Sequence, residues 1–255
     1  MAGLRQEGLG VGRRAVRYLR SLALFLFVAS LPVTLVTTNV RFAANEGRLY
    51  EYGFDRYDVE AKTGLPREEI SRAGRELRHY FNSGEDTVRI LVEEEGREVS
   101  LFNERETAHL RDVKDLFRFT FGIQEFGVAY VFTYVVGVFI WAREGSLRRL
   151  ATQVLAGSLA AIVAILALSA VALLGFDRAF EQFHFIAFNN DLWRLDPRTD
   201  RLIQMFPEGF WFDASLFVGL LTLSEAALLA LCSGLYLGLT RRRLTVVLTP
   251  TQQHA

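Results

Sequence analysis

Two histidines carry the chemistry open to this chain. His184 lies in E-Q-F-H-F-I-A-F between Phe183 and Phe185, and His109 lies in E-T-A-H-L-R-D-V-K-D with Asp112 three residues after it. An imidazole titrates near neutral pH, so it can take a proton or give one back within a reaction. If the His184 segment is helical, Phe176, Phe180, Phe183, Ala187 and Phe188 share its side at spacings of three and four. Asn103 followed three residues later by Glu106 reads as a capping box that starts another helix. On that helix Asp112 is placed to reach the His109 ring and fix its tautomer. A lone histidine at a membrane surface can simply keep its ring in lipid and its nitrogens wet, as Tyr and Trp do. The second histidine is what makes a catalytic pair the sharper expectation.

Other chemistries find little support. The chain has no G-x-S-x-G elbow, H-E-x-x-H helix, C-x-x-C pair, Walker loop or G-x-G-x-x-G turn. His109, His184 and a carboxylate match no recognised ligand spacing, so no metal and no cofactor are expected. His79 falls in a helical last turn and His254 in a tail, and neither attracts a role. The single cysteine, Cys232, excludes an intrachain disulfide.

The elements that must position the pair are mostly membrane spans. Apolar residues make up 51% of the 255 and come in blocks. Residues 20–40, 119–142, 150–174 and 214–240 are each about 20 residues or longer and nearly free of charge, enough to cross a ~30 Å hydrocarbon layer. The expected fold is mainly α: a four-helix transmembrane bundle with an α+β cap and a second outer loop. The net charge of +0 is uninformative, because charges are sorted by segment. Arg5, Arg13, Arg14, Arg17 and Arg20 precede the first span, Arg143, Arg148 and Arg149 mark the 143–149 connection, and Arg241, Arg242 and Arg243 follow the last. Basic short segments stay in the cytoplasm, so 1–19 and 241–255 are expected inside, with the cap at 41–118 and the loop at 175–213 outside. The first span is longer than the 7–15 residue core of a signal peptide and is expected to be an uncleaved anchor.

Within these elements, Pro32 is expected to kink the first span without breaking it. Tyr50, Tyr52, Phe54 and Tyr57 alternate with polar residues, which predicts an extended aromatic strip. Leu65-Pro66 opens a helix with an apolar stripe of Ile70, Ala73, Leu77, Tyr80 and Phe81. Residues 87–93 and 97–103 alternate around Glu94-Glu95-Gly96 as a β-hairpin. A helix unbroken from Glu106 to Trp141 would hold His109 well above the apolar layer. A bend near Gly122 is therefore expected; without it the rings must meet above the bilayer under the cap. In the spans, Tyr130 and Tyr134 lie one turn apart, and Ala226, Ala230, Gly234 and Gly238 form a small-residue stripe suited to close helix packing. Glu225 beside that stripe is an intramembrane carboxylate that serves either function or packing.

The runs H-L-R-D-V-K at 109–114, F-H-F-I-A-F at 183–188, W-R-L-D-P-R-T-D at 193–200 and M-F-P-E-G-F-W at 205–211 resemble the bacterial lipoprotein intramolecular transacylases. The four spans, the cap after the first and the shorter loop before the last resemble that family's architecture along the whole chain, while the specific motifs cover only two stretches. The resemblance implies a multi-pass protein of the bacterial cytoplasmic membrane. Its implied reaction moves the sn-2 acyl chain of a diacylglyceryl lipoprotein to the α-amine of its N-terminal cysteine, and its paired catalytic histidines map onto His109 and His184. Lipoprotein and membrane lipid are then the expected partners, with no nucleic acid.

The residues suit that reaction on their own terms. Donor ester and acceptor amine are tethered in one substrate, so proximity comes from the substrate and no enzyme nucleophile is needed. What remains is proton transfer from an amine of pKa ~8, stabilisation of an oxyanion and protonation of the leaving glycerol oxygen. His109 is expected as the base, oriented by Asp112, with His184 as oxyanion or leaving-group partner, and the reverse assignment stays open. Arg111, Asn189 and Arg194 are supporting candidates for oxyanion or head-group contacts, each also readable as a surface ion pair or turn residue. Asp196 to Asp200 reads as a turn, and Trp193 and Trp211 as interfacial anchors. Two other classes compete: a lipid-binding sensor or accessory subunit, which needs no converging imidazoles, and a small transporter using Glu225, which should show a pseudo-repeat.

Overall fold

A computed structural model describes residues 2–94, 96–141 and 146–247. The expected basic connection at 143–145 and the tail with His254 lie outside the described residues, as do the side chains of Arg5, Arg13, Arg14, Arg242 and Arg243. The chain is mainly helical. Its four longest helices are α1 (Ala2–Asn45), α5 (Glu104–Trp141), α6 (Ser146–Ala187) and α8 (Glu208–Val247), and each is long and apolar enough to cross a membrane. Between α1 and α5 lie α2 (Gly47–Arg56), α3 (Val59–Thr63), α4 (Arg67–Asn82), β1 (Leu91–Glu94) and β2 (Arg97–Ser100), and α7 (Arg201–Met205) precedes α8. The protein is thus a multi-pass membrane protein with a small α+β elaboration.

The chain divides into two compact units. One comprises Met1–Leu35, Gln124–Ile165 and Thr222–Ala255. Here α1 continues through Pro32. Tyr130 donates to the Ala23 carbonyl at 2.9 Å, Tyr134 donates to Gln153 Oε1 at 3.0 Å, and the Tyr134 ring stacks on Phe27. The two tyrosines are therefore ties between spans. One close helix approach is at Gly157, where an added Cβ would meet Leu31 Cδ2 at 2.9 Å and the Val28 carbonyl at 3.2 Å. The stripe expected on α8 does not behave that way. Ala226 is fully buried, but Gly234 and Gly238 are exposed, and a Cβ on either would meet nothing within 4 Å.

The other unit, Val36–Ile123 and Leu166–Leu221, contains the cap. Its core joins residues from α2, α4, the hairpin and α7 with Leu110 and Phe210, around Tyr80, Ile70 and Met205. The stripe on α4 is buried as its spacing requires. The hairpin is shorter than the sequence suggests: β1 and β2 pair antiparallel over four residues each, with Gly96 in the turn at φ 74°. The aromatic strip is a correction. Tyr50, Tyr52 and Phe54 lie on α2, a helix, where Tyr50 and Phe54 are one turn apart on its buried face. Alternation over so few residues satisfies a strand period and an i, i+4 helical pair alike. A helix is also what lets Gly53 pack directly beneath the Phe210 ring.

At Gly122, where a bend is expected, the backbone stays helical. α5 runs for 38 residues, about 57 Å at 1.5 Å per residue, with no break. That exceeds a ~30 Å apolar layer, so its polar first turns, His109 among them, stand outside. The change of direction occurs instead in α6, at the non-helical Gly175, after which the helix resumes and carries His184.

Candidate active site

The capping box starts α5 as predicted: Glu106 N–H donates to Asn103 Oδ1 at 2.9 Å, and Asn103 N–H donates to Glu106 Oε2 at 2.8 Å. The same turn also holds the segment between α6 and α8. Glu106 Oε1 accepts the Leu202 N–H at 2.6 Å, Asn103 Nδ2 donates to Asp200 Oδ1 at 3.0 Å, and Arg105 donates to the Asp191 carbonyl at 2.6 Å. Two turns further along, Asn190 Nδ2 donates to Asp112 Oδ2 at 2.9 Å. The loop is itself closed by the 196–200 turn, in which Asp200 Oδ2 accepts the Asp196 N–H at 2.7 Å. On the other side of α5, Lys114 is buried against the Tyr80 ring and donates to the Glu85 carbonyl at 2.6 Å, fixing α5 to the end of α4.

These ties bring the two histidines together. Their ring centroids are 6.1 Å apart, and both side chains are buried, at 6% and 8% exposure. The walls are aromatic. Phe188 lies 5.1 Å from His109 and 5.6 Å from His184, Phe180 meets His184 edge-on at 4.4 Å, and Trp193 lies over it at 4.9 Å. Neighbouring Phe183, Phe185 and Ile186 remain exposed, an apolar rim suited to lipid.

The electrostatics follow from burial. Desolvation pushes the His109 pKa down to about 4, with His184 adding to the shift and Asp112 opposing it. His184 is also lowered by burial, against its hydrogen bond to the Phe180 carbonyl. Burial thus favours the neutral form of both rings. The His184 Nδ1 lies 2.7 Å from that carbonyl, which can only accept. The proton sits on Nδ1, and Nε2 keeps its lone pair.

The supporting candidates fare unevenly. Asp112 does not bond His109: its carboxylate binds Asn190, and His109 Nδ1 is buried without a hydrogen-bond partner among the described residues. The i, i+3 spacing put the carboxylate within reach, but the second loop offers it a competing amide. Arg111 is exposed, and its charge acts on Tyr80. Asn189 is exposed, and its neighbour Asn190 makes the contact instead. Arg194 pairs with Asp191 at 3.1 Å and lays its guanidinium 4.9 Å over the Trp193 ring, so it supports the wall of the site from outside. Trp193 packs on His184 where an interfacial anchor was expected, and Trp211 packs against Phe210 and Phe180. Sequence reasoning missed Asn190, the second bond of Glu106 and the place of Trp193. The capping box showed Glu106 alone, and nothing in local spacing marks a partner 96 positions away.

Fold and site define a multi-pass membrane protein with a buried imidazole pair walled by aromatic rings. Comparison with known proteins supplies the class of chemistry. The chain belongs to the lipoprotein intramolecular transacylase family: the family described as Lipoprotein intramolecular transacylase Lit matches residues 25–211, and the protein is accordingly an acyltransferase. An uncharacterized protein of Aquifex aeolicus (strain VF5) is 26% identical over 210 residues, 80% of this chain and 89% of its own length. The in meso structure of the membrane integral lipoprotein intramolecular transacylase Lit from Bacillus cereus superposes with a TM-score of 0.73 at 20% identity, covering 89% of this chain and 99% of that one. A form of it with a histidine-to-arginine mutation gives 0.71 at 20% identity, over 92% and 99%.

Proposed function

We propose that the protein transfers the sn-2 acyl chain of a diacylglyceryl-modified lipoprotein to the α-amine of the same molecule's N-terminal cysteine. The product is the N-acyl, S-monoacylglyceryl form. The observation that carries this reading is the His184 ring, held by the Phe180 carbonyl with a free Nε2 and paired with a second neutral imidazole 6.1 Å away.

The amine attacks the ester carbonyl, and His184 Nε2 takes the proton that nitrogen must lose. His109, kept neutral by burial, donates an N–H to the oxyanion. As the tetrahedral centre collapses, the carbon–oxygen bond to glycerol breaks, and the proton on His184 passes to the glycerol oxygen. Because donor and acceptor share one substrate, their tether supplies the effective concentration that a covalent enzyme intermediate would otherwise provide. His109 and His184 are the catalytic residues of this reading, while Glu106 and the Asp112–Asn190 bond hold the 188–202 loop against α5. The basic residues flanking the spans favour cytoplasmic termini, with the cap and the histidine pair on the outer face of a bacterial cytoplasmic membrane.

The test is expression in bacteria lacking other lipoprotein N-acylation, followed by mass spectrometry of a model lipoprotein's N-terminal peptide. The expected product has the mass of its precursor but fragments with the acyl chain on the amine. Persistence of the diacylglyceryl form would overturn the reading.

A further inference from the structure

Trp193 presents a buried hydrogen-bond donor. Its indole Nε1 has no partner among the described residues, while its ring lies 4.9 Å from His184 at an interplanar angle of 31°. A buried N–H left unpaired carries a desolvation penalty that folds ordinarily avoid. Tryptophan usually finds a partner for that group when it is buried. The ring is nonetheless held deliberately: Phe185 packs edge-on at 5.2 Å, and the Arg194 guanidinium covers it at 4.9 Å. An apolar ring would pack in the same place without the penalty. The other orphan on this wall is His109 Nδ1, so two unsatisfied buried nitrogens flank the one imidazole whose tautomer is fixed. Unpaired polar atoms clustered around a reacting group are satisfied when the missing partner arrives.

We infer that the Trp193 indole N–H is a catalytic donor to the substrate's carbonyl oxygen, engaged as that oxygen becomes an oxyanion. This rests on the acyl-transfer reading above. It adds a second donor to the one from His109 and accounts for a tryptophan where phenylalanine would fill the space. The N–H is not consumed: it holds the oxyanion while the carbon–nitrogen bond forms, and releases it when the carbon–oxygen bond to glycerol breaks. The positive guanidinium 4.9 Å from the ring centroid draws electron density from the indole and strengthens the N–H as a donor.

The experiment replaces Trp193 with 3-benzothienylalanine, which keeps the shape of the bicyclic ring and exchanges N–H for sulfur, and compares it with Trp193→Phe. Loss of one oxyanion donor predicts a fall in kcat of roughly 10²–10³-fold with KM nearly unchanged, in both variants. Wild-type kcat in the benzothienyl protein, whatever Trp193→Phe does, would reduce Trp193 to packing and overturn the inference. A second measurement does not depend on turnover. The indole ¹H–¹⁵N resonance of Trp193 is followed while a glycerophosphonate ester mimicking the tetrahedral centre is added. A downfield shift is expected, and an unmoved signal at saturation also overturns the donor role. Absence of lyso product from the wild-type chain would count instead against the acyl-transfer reading.

Discussion

The His184 Nδ1 nitrogen and the Phe180 carbonyl oxygen belong to one turn of one helix, 2.7 Å apart, and that bond decides which nitrogen of the ring is basic. It needs a helix to present a carbonyl four residues back and a ring turned along the helix rather than away from it. The break at Gly175 is what frees this turn from the direction of the span below it. His109 has no comparable anchor and is held by burial alone, so the two imidazoles differ in kind despite their proximity.

That difference predicts an order among substitutions. Glutamine can donate a hydrogen bond but cannot carry a proton. His184→Gln should lose the general base, a fall of roughly 10²–10⁴-fold, whereas His109→Gln should keep part of the oxyanion contact and retain clearly more activity. Initial rates of lyso-lipoprotein formation decide it, and the reverse order would assign the base to His109.

Acid should act on this site late. Burial lowers the folded-state pKa of His109 from 6.5 to about 4. Between those values the unfolded chain binds the extra proton, so stability falls as pH drops through the window, by up to about 3 kcal/mol below it. Above pH 6.5 the effect is absent. An NMR titration of labelled histidine in detergent should find His109 still neutral at pH 5.5, and a midpoint near 6.5 would show that water reaches the ring. The rate should instead rise with pH through the substrate amine, whose pKa is ~8.

Glu106 should matter for stability more than its position in the sequence suggests. It is 1% exposed, burial raises its pKa, and its two oxygens accept N–H groups from both ends of the loop closure. Glu106→Gln replaces one acceptor by a donor and leaves a buried N–H unpaired, a cost of about 1–3 kcal/mol. The thermal midpoint in detergent should drop by several degrees. Exposed Glu104→Gln in the same turn should leave it unchanged.

How far the sequence could be read depended on the range of the interaction. The spans, the α4 stripe, the hairpin turn and the capping box are set by periods and caps within about a dozen residues, and each was found. The histidine pair was reached by a shared apolar environment, with motif resemblance behind it. What failed was the choice between equally good local solutions. Asp112 has two amphiphilic neighbours in space, and the sequence shows only His109. The bend was expected at Gly122 alone, whereas the non-helical residue is Gly175 in α6, for which no local spacing gave a signal. Asn189 and Asn190 are adjacent and chemically identical, so only the coordinates separate the contact from the bystander.

The small residues of the spans provide the last prediction, because the glycines that look alike in sequence differ in what surrounds them. At Gly157 an added methyl would lie 2.9 Å from Leu31 Cδ2 and 3.2 Å from the Val28 carbonyl. Backbone cannot yield as a side chain can, so Gly157→Ala should force the helices apart at a cost of about 1–3 kcal/mol. At Gly234 and Gly238 the same methyl meets open space, and alanine favours a helix by roughly 1 kcal/mol over glycine. Gly234→Ala and Gly238→Ala should therefore be neutral or mildly stabilising in a single chain. Thermal unfolding of the three variants in the same detergent checks the contrast. Should Gly234→Ala prove as damaging as Gly157→Ala, the exposed stripe on α8 would have to be occupied by a neighbour, since among the described residues nothing stands where the methyl goes.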